Sequence, residues 1–591
     1  MSRRLILGLF IAAVAHAGFA QSTYYLNCGS GRDAADGLRP ESAWDSIERA
    51  NAVLFQPGDR LVLRRGSTCD GMLAPKGSGE ADAPIVLSAY GEGALPVIRG
   101  GSHTAGLELS NQEYWEIEDL EIMGGSPYGL HITTGNASIR HFRLRNLVIH
   151  HVIGEPKMKE SGLLVVSPAQ DAAGTISDVL IDGVTAYDTT QWAGILVTGA
   201  AFNDKNHKYG EQIEIRNSVV HDIAGDGILL MSVRKGQIEH NVAWNTGMQE
   251  TETIGTPNAI WEWMCVECRV AWNEGFFSDS PGVDGGIFDI DFGDIDNVVE
   301  HNFGHDSQGY CAAVFGAEGR GGNSVNSILR ENTCLHNARS PRLARRQGAI
   351  FVDTWHGGKL DGVLIEGNTI LWEPPLAAPA IHAAAEFTGS RANRIEDNRI
   401  LLASGDAIQV SPAFTVGANQ VCAATSTDAA HSLCRCWSEW TASLHALAAP
   451  KADNIHLADG AGSGWRLVAA FRATPAGSDA RALVVLLESM RYQFSPLGLQ
   501  TLIAPSGNPS EQDMDRLRTD WHLDPSILVV PNVAKASSAG QEDPPAILLM
   551  NPDGVVTAKW RAPVDPAALW LELEAHLGVP IGMQPSPVCQ K

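Results

Sequence analysis

Residues 194–230 read GILVTGAAFNDKNHKYGEQIEIRNSVVHDIAGDGILL, which is one repeat followed by the opening of the next. A small residue and an aliphatic run open each repeat, and a second apolar run and an asparagine follow. The opening recurs at intervals of 27 to 33 residues, with one interval of 63 that contains a weaker opening at Ala312, and its positions are Gly129, Gly162, Gly194, Gly227, Ala259, Gly286, Ala349, Ala380 and Ala407. Short strands and turns at this period predict a β-solenoid, because the blades of the rival β-propeller are longer, at about 40–45 residues.

Asparagines follow the second strand of many repeats, at Asn217, Asn241, Asn302, Asn332, Asn368 and Asn398. Asparagine tolerates the left-handed conformation that the corner of a coil requires. Stacked asparagine side chains also form hydrogen bonds with one another along a stack. These positions therefore predict coil corners that lie one above the other.

The region before the repeats contains, in order, Tyr24–Gly31, a short helical pattern around Ile47–Leu54 and apolar runs at Leu61–Leu63 and Ile85–Tyr90. This order resembles the N-terminal cap and first coils of right-handed parallel β-helix proteins of the pectin-lyase-like class. The resemblance implies a short helix that plugs the open end of the stack, which otherwise exposes an apolar end and an unpaired edge. We predict a capped right-handed parallel β-helix over residues 21–412.

The composition changes after residue 412. Residues 413–463 are rich in alanine, serine and threonine and indicate a connector, whereas 464–580 show a βαβαββα order with Pro544-Pro545 before a strand. This order resembles the thioredoxin-like fold, so the overall class is mainly β, a β-helix followed by a smaller α/β domain. The segment Thr474-Pro-Ala-Gly-Ser-Asp stands where that family carries its C-x-x-C. Without a thiolate there is no thiol–disulfide exchange, and the resemblance implies a redox-inactive module for stability or for docking a protein partner.

The N-terminus has the features of a signal peptide over residues 1–20: Arg3 and Arg4, the apolar run Leu5–Val14 and small residues up to Ala20. The apolar run is shorter than the ~20 residues of a membrane span, and no later segment has that length, so we predict a secreted or periplasmic protein. In an exported chain ten cysteines favour disulfides. We predict Cys28–Cys69 and Cys311–Cys334, although spacing alone does not fix connectivity. The C-x-x-C at 265–268 is explained more simply by a disulfide or small core residues than by a redox or zinc site.

The formal net charge of −25 argues against nucleic acid as a partner, because no basic patch would dominate the field. The same charge means that a polyanionic glycan needs a local basic strip or a bridging cation.

Carboxylates interrupt the strand pattern at two successive repeats. Counting three residues on from each small residue gives aliphatic side chains or alanine at most repeats, but Glu262 and Asp289 at two of them. If both faced the core, two acids would be buried at high cost. A one-residue slip places both in the outer groove, with Trp261 and Trp263 inward and Asp291 beside Asp289. We favour the outward arrangement, in which the acids share a proton or hold a cation.

Further candidates surround this pair. Asp284 and Asp306 are candidate calcium ligands, and His305 is a candidate catalytic group. Residues 284–291 with 300–309 also resemble a block of secreted bacterial β-helix proteins, to which no mechanism is attached. On later repeats Arg320 is a candidate base, and the candidate substrate-binding residues are Trp355, His356, His382 and Arg342.

Two function classes remain open. The first is a secreted enzyme that cleaves a polysaccharide lying along the coils. It would act as a hydrolase through Glu262 and Asp289 or Asp291, or as a lyase with Ca²⁺ and a base such as Arg320, Lys359 or His356. The second is a non-catalytic glycan-binding or surface-scaffold protein, in which the acids form a structural site.

Overall fold

The computed structural model describes residues 21–201, 208–248, 254–317, 322–346, 348–373, 378–385, 391–403, 405–423, 435–436, 438–440, 464–472, 478–506, 509–521, 523–530 and 545–583. The predicted signal peptide and most of the connector lie outside this part of the chain. Within it, no helix has the length and hydropathy that crossing a bilayer requires.

Residues 23–423 form a solenoid of parallel strands in three ladders, which agrees with a parallel β-helix; the right-handed winding stays a prediction. We name the ladders sheets 1, 2 and 3, in the order in which one coil visits them. Sheet 1 consists of Leu107–Ser110, Tyr128–Thr133, Gly162–Val166, Ala193–Thr198, Ile228–Met231, Ile260–Trp263, Phe288–Ile290, Ala312–Ala317, Ile350–Trp355, Ile381–Ala383 and Ile408–Val410.

Sheets 2 and 3 share two long strands, Trp115–Gly124 and Ile139–Val152, that pass through both. The other strands of sheet 2 are Thr23–Leu26, Arg60–Arg64, Ile85–Tyr90, Ile176–Asp182, Ile213–Arg216, Gln237–Glu239, Arg269–Ala271, Val298–Glu300, Ile328–Arg330, Leu364–Glu366, Asn393–Glu396 and Phe414–Val416. The other strands of sheet 3 are Thr68–Asp70, Val97–Gly101, Thr185–Thr189, Val219–Ile223, Val242–Trp244, Glu274–Phe276, Phe303–His305, Thr333–Leu335, Thr369–Trp372, Arg399–Leu402 and Gln420–Ala423. Two short pairs, Gly210–Glu211 with Val233–Arg234 and Ser324–Val325 with Leu360–Asp361, lie in loops.

The last strands of sheets 2 and 3 continue the solenoid past residue 412, to Ala423. At the other end, helix α1 (Ile47–Asn51) buries Ile47 and Ala50 in the solenoid core. Short 3-10 helices occur at Pro40–Ser42 and Pro341–Arg346.

Inward-facing aliphatic side chains of all three ladders form one continuous core. The disulfides Cys28–Cys69 and Cys311–Cys334 are present as predicted, and Cys422–Cys436 is a third. Three disulfides agree with a protein outside the cytoplasm.

The C-terminal domain is a five-stranded mixed sheet with helices. Its strand order is Leu528–Val529, Gln500–Ser506, Arg466–Arg472, Ala546–Met550 and Val556–Arg561, and the last two strands are antiparallel to their neighbours. The helices are α2 (Ser478–Phe494), a 3-10 turn at Ser495–Leu497, α3 (Glu511–Asp520) and α4 (Pro566–Leu577). Residues 473–477 and Pro544, on which the thioredoxin-like prediction depends, lie outside the described residues.

This domain packs on the outer face of sheet 3. Its core is continuous with an apolar strip on that sheet, consisting of Val242, Trp244, Phe276, Phe303, Leu335, Leu371 and Leu401. At the edge of the contact, Arg65 of the solenoid forms ion pairs with Asp119 (3.1 Å) and with Asp520 of α3 (2.8 Å). Sheet 3 is therefore covered along this strip, whereas the carboxylates of interest lie on sheet 1.

Candidate active site on the outer face of sheet 1

The strand register separates the two acids that the sequence placed together. Trp261 pairs with Asp289, and Glu262 pairs with Ile290. Because successive side chains of a strand point to opposite faces, Asp289 shares the outer face with Trp261. Glu262 lies in the inner column, between Leu230 and Ile290 of the core.

The prediction that Glu262 and Asp289 both face the outer groove is therefore wrong for Glu262. Trp261 and Trp263 pack on the outer face, not inside. The sequence analysis aligned these two repeats on their small residues, Ala259 and Gly286, and this alignment is wrong by one residue. In the structure Ile260 pairs with Phe288, so Ala259 is level with Ile287. Phe288 and Ile290 face inward, which is consistent with the outward position of Asp289 between them.

Asp289 lies at a cavity of about 200 Å³ on the outer face of sheet 1. Aromatic rings and carboxylates dominate its wall, which consists of Lys159, Ile254, Gly255, Thr256, Asn258, Trp261, Trp263, Asp284, Asp289, Asp291, Phe292, Phe315 and Trp355. Three of the predicted acids, Asp284, Asp289 and Asp291, thus meet the predicted sugar platform Trp355 in one place.

Asp289 is 2% exposed and is held by two polar neighbours. Its Oδ2 accepts a hydrogen bond from Asn258 Nδ2 (3.1 Å) and lies 3.3 Å from the Tyr310 hydroxyl. Its Oδ1 has no hydrogen-bond partner among the described residues. Burial, with the nearby Asp291 charge, raises the pKa of Asp289 well above its usual value and so favours the protonated carboxyl.

Asp291 follows two residues later and faces the same cavity. Burial raises its pKa to about 7, against the opposing influence of the Phe292 backbone N–H and Lys159. Its Oδ1 is also unpartnered within the described chain. Two neighbouring carboxyls, one with a strongly raised pKa and one with a pKa near neutrality, are the arrangement that acid–base chemistry uses.

A buried carboxylate supports the cavity from behind. Asp226 is fully buried and accepts hydrogen bonds from the indole N–H groups of Trp192 (2.5 Å) and Trp261 (3.0 Å). The Lys159 ammonium lies 3.5 Å from Asp226 Oδ2 and 4.2 Å from the centre of the Trp261 ring. These contacts fix the indole wall and hold one cation next to the two reactive carboxyls.

The other predicted site residues lie elsewhere. His305 and Asp306 lie on sheet 3 under the C-terminal domain, with His305 Nδ1 2.9 Å from Asp306 Oδ2, so Asp306 does not join Asp284 in one metal site. Arg342 donates two hydrogen bonds to the Asp279 carboxylate, at 3.0 and 2.9 Å. His382 packs edge-on against Phe351, and His356 is exposed beyond the end of its strand. Arg320 lies outside the described residues.

Sequence reasoning missed Lys159, Asp226 and Tyr310. Lys159 belongs to a loop between repeats, where no periodicity draws attention to it. Asp226 and Tyr310 stand one or two residues before the small residue that opens a strand. A polar residue at that position of the repeat is the signal that would have found them.

Larger cavities lie along the junction of the solenoid with the C-terminal domain. In the one of about 380 Å³, the acids Glu488 and Asp524 are both paired with Arg491. The sheet 1 cavity is smaller, but Asp289 and Asp291 each have one oxygen without a hydrogen-bond partner among the described residues, and the pKa values of both are raised. We therefore place the candidate active site on sheet 1.

Comparison with known proteins gives partial matches. No family model matches the chain. It is similar to the lacto-N-biosidase of Bifidobacterium longum subsp. longum, at 24% identity over 48% of this chain and 24% of the relative, so it spans about a quarter of that protein. Among solved structures, it is similar to the GH136 lacto-N-biosidase from Eubacterium ramulus, with a TM-score of 0.51 and 19% identity over 68% of this chain and 67% of that one. Pectate lyase Pel9A matches with a TM-score of 0.35 and 13% identity over 64% of this chain and 80% of that one. The Eubacterium likeness supports the parallel solenoid fold.

Proposed function

We propose that this protein is a glycoside hydrolase that cleaves a neutral glycan bound in the sheet 1 cavity. The observation that carries the proposal is that Asp289 and Asp291 face one cavity with unpartnered oxygens and with raised pKa values. The similarity to two proteins named as lacto-N-biosidases supports the same class of reaction.

In this mechanism Asp289 is the general acid. Its proton passes to the glycosidic oxygen as the bond from that oxygen to the anomeric carbon breaks. The Asp291 carboxylate either takes a proton from the attacking water or attacks the anomeric carbon itself, and the separation of the two carboxyls on the substrate decides between these routes. In both routes one water is consumed, and one hydroxyl appears on each product.

The cavity wall favours a neutral sugar over a uronate. Trp261, Trp263 and Trp355 offer apolar faces on which a sugar ring stacks. Asp284 and Asp291 lie at the same wall, where Lys159 is the one basic residue among the described lining residues, so a carboxylated sugar would meet like charge.

Calcium-dependent lyase chemistry is the second candidate. The three aspartates Asp284, Asp289 and Asp291 are oxygen donors of the kind that Ca²⁺ prefers. A bound calcium ion would reverse the charge argument and admit a uronate. This candidate predicts that a chelator abolishes activity, whereas no step of the proposed hydrolase mechanism uses a metal ion.

A glycan panel separates these candidates. Purified full-length protein is incubated with neutral oligosaccharides, including the substrates on which lacto-N-biosidase is assayed, and with uronate polymers, each with and without EDTA. Release of new reducing ends without an ultraviolet-absorbing unsaturated product supports the hydrolase. An unsaturated product that EDTA suppresses supports the lyase. Glycan binding without any cleavage supports the non-catalytic scaffold.

Replacing each acid tests its assignment. We expect Asp289→Asn and Asp291→Asn to lower kcat by about 10²- to 10⁴-fold with an unchanged fold, because each removes a proton-transfer group. Asp296→Asn is the matched control, since Asp296 is an exposed aspartate of the same coil and asparagine tolerates its φ of 58°. Full activity in both site variants would refute the assignment.

The remaining assignments extend the proposal to the whole chain. The protein is exported through its N-terminal signal peptide, which the three disulfides support. The C-terminal domain is a thioredoxin-like module without redox activity, for which its five-stranded mixed sheet with the helices α2, α3 and α4 is the support. It stabilises the solenoid by covering sheet 3, and its exposed side remains available to a protein partner.

A further inference from the structure

The inner side of the same coil holds a second cluster of reactive groups, which the proposed hydrolase mechanism does not use. Glu262, Cys265, Cys268 and Asp294 are all buried, with exposures of 0 to 2%. One donor atom each from Glu262, Cys265 and Cys268 lies within 4.8 Å of the other two. Two thiols and a carboxylate at this spacing have the composition of a metal site.

The backbone holds the two cysteines in place. Asp294 Oδ1 accepts a hydrogen bond from the Cys265 backbone N–H, and Asn297 Oδ1 accepts one from that of Cys268 (2.9 Å). Asn297 Nδ2 donates to the Cys265 carbonyl oxygen (3.2 Å). The C-x-x-C turn is therefore fixed from the next coil, and both thiols remain free of a disulfide.

Several acceptor atoms of the cluster are unmatched. Oδ2 of Asp294 has no hydrogen-bond partner among the described residues, and the carboxyl oxygens of Glu262 have the Asn297 side chain nearby but make no hydrogen bond of ordinary geometry within the described chain. A buried polar group without a partner is costly. The Gly236 backbone N–H also lies 3.1 Å from Cys268 Sγ, as N–H groups do around thiolates that bind metal. A cation bound between these groups would be a partner for the carboxyl oxygens of Glu262 and Asp294.

We propose that this cluster is a structural zinc site, with the thiolates of Cys265 and Cys268 and the carboxylates of Glu262 and Asp294 as its four ligands. Two sulfur and two oxygen ligands suit tetrahedral Zn²⁺, whereas Ca²⁺ and Mg²⁺ prefer oxygen alone. Each thiol loses its proton on binding, as does each carboxyl that is protonated in the metal-free protein, so loading with Zn²⁺ releases protons and weakens as the pH falls. The ion would join strand Ile260–Trp263 to the segment after strand Phe288–Ile290, directly behind the cavity.

Metal content of the full-length protein tests the site. After incubation with Zn²⁺ and dialysis, inductively coupled plasma mass spectrometry is expected to give about one zinc per chain. The double variant Cys265→Ser/Cys268→Ser should bind none, and Glu262→Gln should lose zinc at lower chelator concentrations than the wild type. Asp289→Asn is the matched control, because it removes a buried acid from the opposite face of the same sheet, and its zinc content should be unchanged.

Two measurements on the wild-type protein keep the test independent of whether the variants fold. Co²⁺ in place of Zn²⁺ should produce a thiolate-to-metal charge-transfer band in the near ultraviolet. Alkylation of the denatured protein with peptide mass mapping should show Cys265 and Cys268 as thiols. A Cys265–Cys268 disulfide, or free thiols with no retained metal and no cobalt band, would overturn the proposal. Neither result would affect the proposed hydrolase, whose assay has a separate readout.

Discussion

At the residue scale, the pKa of Asp291 is about 7 because burial, which raises it, outweighs the Phe292 backbone N–H and Lys159, which lower it. Because the proposed reaction needs Asp291 ionised, activity should rise with pH through this value. The acidic limb of the pH profile of kcat/KM gives the pKa of a catalytic carboxylate such as Asp291 in the free enzyme.

Replacing Lys159 should move this limb. With Lys159→Met the ionised form of Asp291 loses a nearby positive charge, so its pKa rises and the limb shifts by about one unit toward higher pH. The pH profile of kcat/KM measures the shift. Lys157→Met, an exposed lysine of the same loop, is the control and should leave the profile unchanged. An equal profile in all three proteins would show that Asp291 is not the titrating group.

The residue scale is also where sequence reasoning was least complete. Asp284, Asp289 and Asp291 were identifiable, because acids interrupt an otherwise apolar strand pattern. Glu262 interrupts the same pattern but faces inward, since a register difference of one residue between neighbouring coils reverses the face. Lys159 comes from a loop more than a hundred residues earlier, and only the winding of the chain brings it to the cavity.

At the element scale, five of the six predicted corner asparagines lie in a hydrogen-bonded ladder along the stack, which begins at Asn241. Asn217 does not, because its side chain donates to Asp182 and Ser218 occupies the ladder position. Asn273 Nδ2 donates to Asn302 Oδ1 (3.0 Å), and Asn302 Nδ2 donates to Asn332 Oδ1 (3.0 Å). The ladder continues to Asn368, Asn398 and Asn419. The sequence predicted the stacking because most repeats place an asparagine at this corner. The expected left-handed conformation is wrong for the five predicted asparagines of the ladder, since the residue before each of them has the positive φ, as at His301 (54°).

Interrupting the ladder should destabilise the solenoid. Asn302→Ala removes the partner of the buried Asn273 and Asn332 groups, and a buried group left unsatisfied costs about 1–3 kcal/mol. Denaturant unfolding of the full-length protein measures the loss. Asn419→Ala, at the half-buried end of the ladder, is the control and should cost less. Equal losses at both positions would mean that the ladder does not carry the effect.

At the scale of the whole molecule, a polar network joins the solenoid to the C-terminal domain. Glu274 of sheet 3 accepts hydrogen bonds from Ser489 (2.7 Å) and Gln493 (2.8 Å) of α2, and His305 Nε2 lies 3.2 Å from it. Burial opposes protonation of His305, but its hydrogen bonds to Asp306 and Glu274 outweigh this, so its pKa is raised above 6.5.

This network should make the contact between the domains dependent on pH. Because the pKa of His305 is raised in the folded protein, its contribution to stability is complete below pH 6.5 and is lost as the pH rises through the raised value. As the pH rises from 6.5 to above the raised pKa of His305, the Tm of the wild type should fall by about 2 °C more than the Tm of His305→Gln. Thermal unfolding across the pH range measures the difference, with the exposed His103→Gln as the control. Parallel curves for wild type and His305→Gln would contradict the role of His305.

The arrangement of the two regions was beyond the reach of the sequence. The repeat period and the change in composition predicted a solenoid and a second domain. The apolar side chains of sheet 3 that α2 and α4 cover belong to strands whose sequence pattern does not differ from that of the other strands. Only the docked domain distinguishes an outer apolar residue from a core residue, and for the same reason His305 was assigned to the cavity.

The apolar strip under the C-terminal domain has a practical consequence for anyone who expresses this protein in pieces. A truncation after Ala423 would leave Trp244, Phe276, Phe303 and their neighbours facing water as one contiguous patch, although every coil of the solenoid would be intact. Patches of that kind promote self-association. Poor solubility of the shortened chain would then reflect a missing cover, and not a misfolded β-helix.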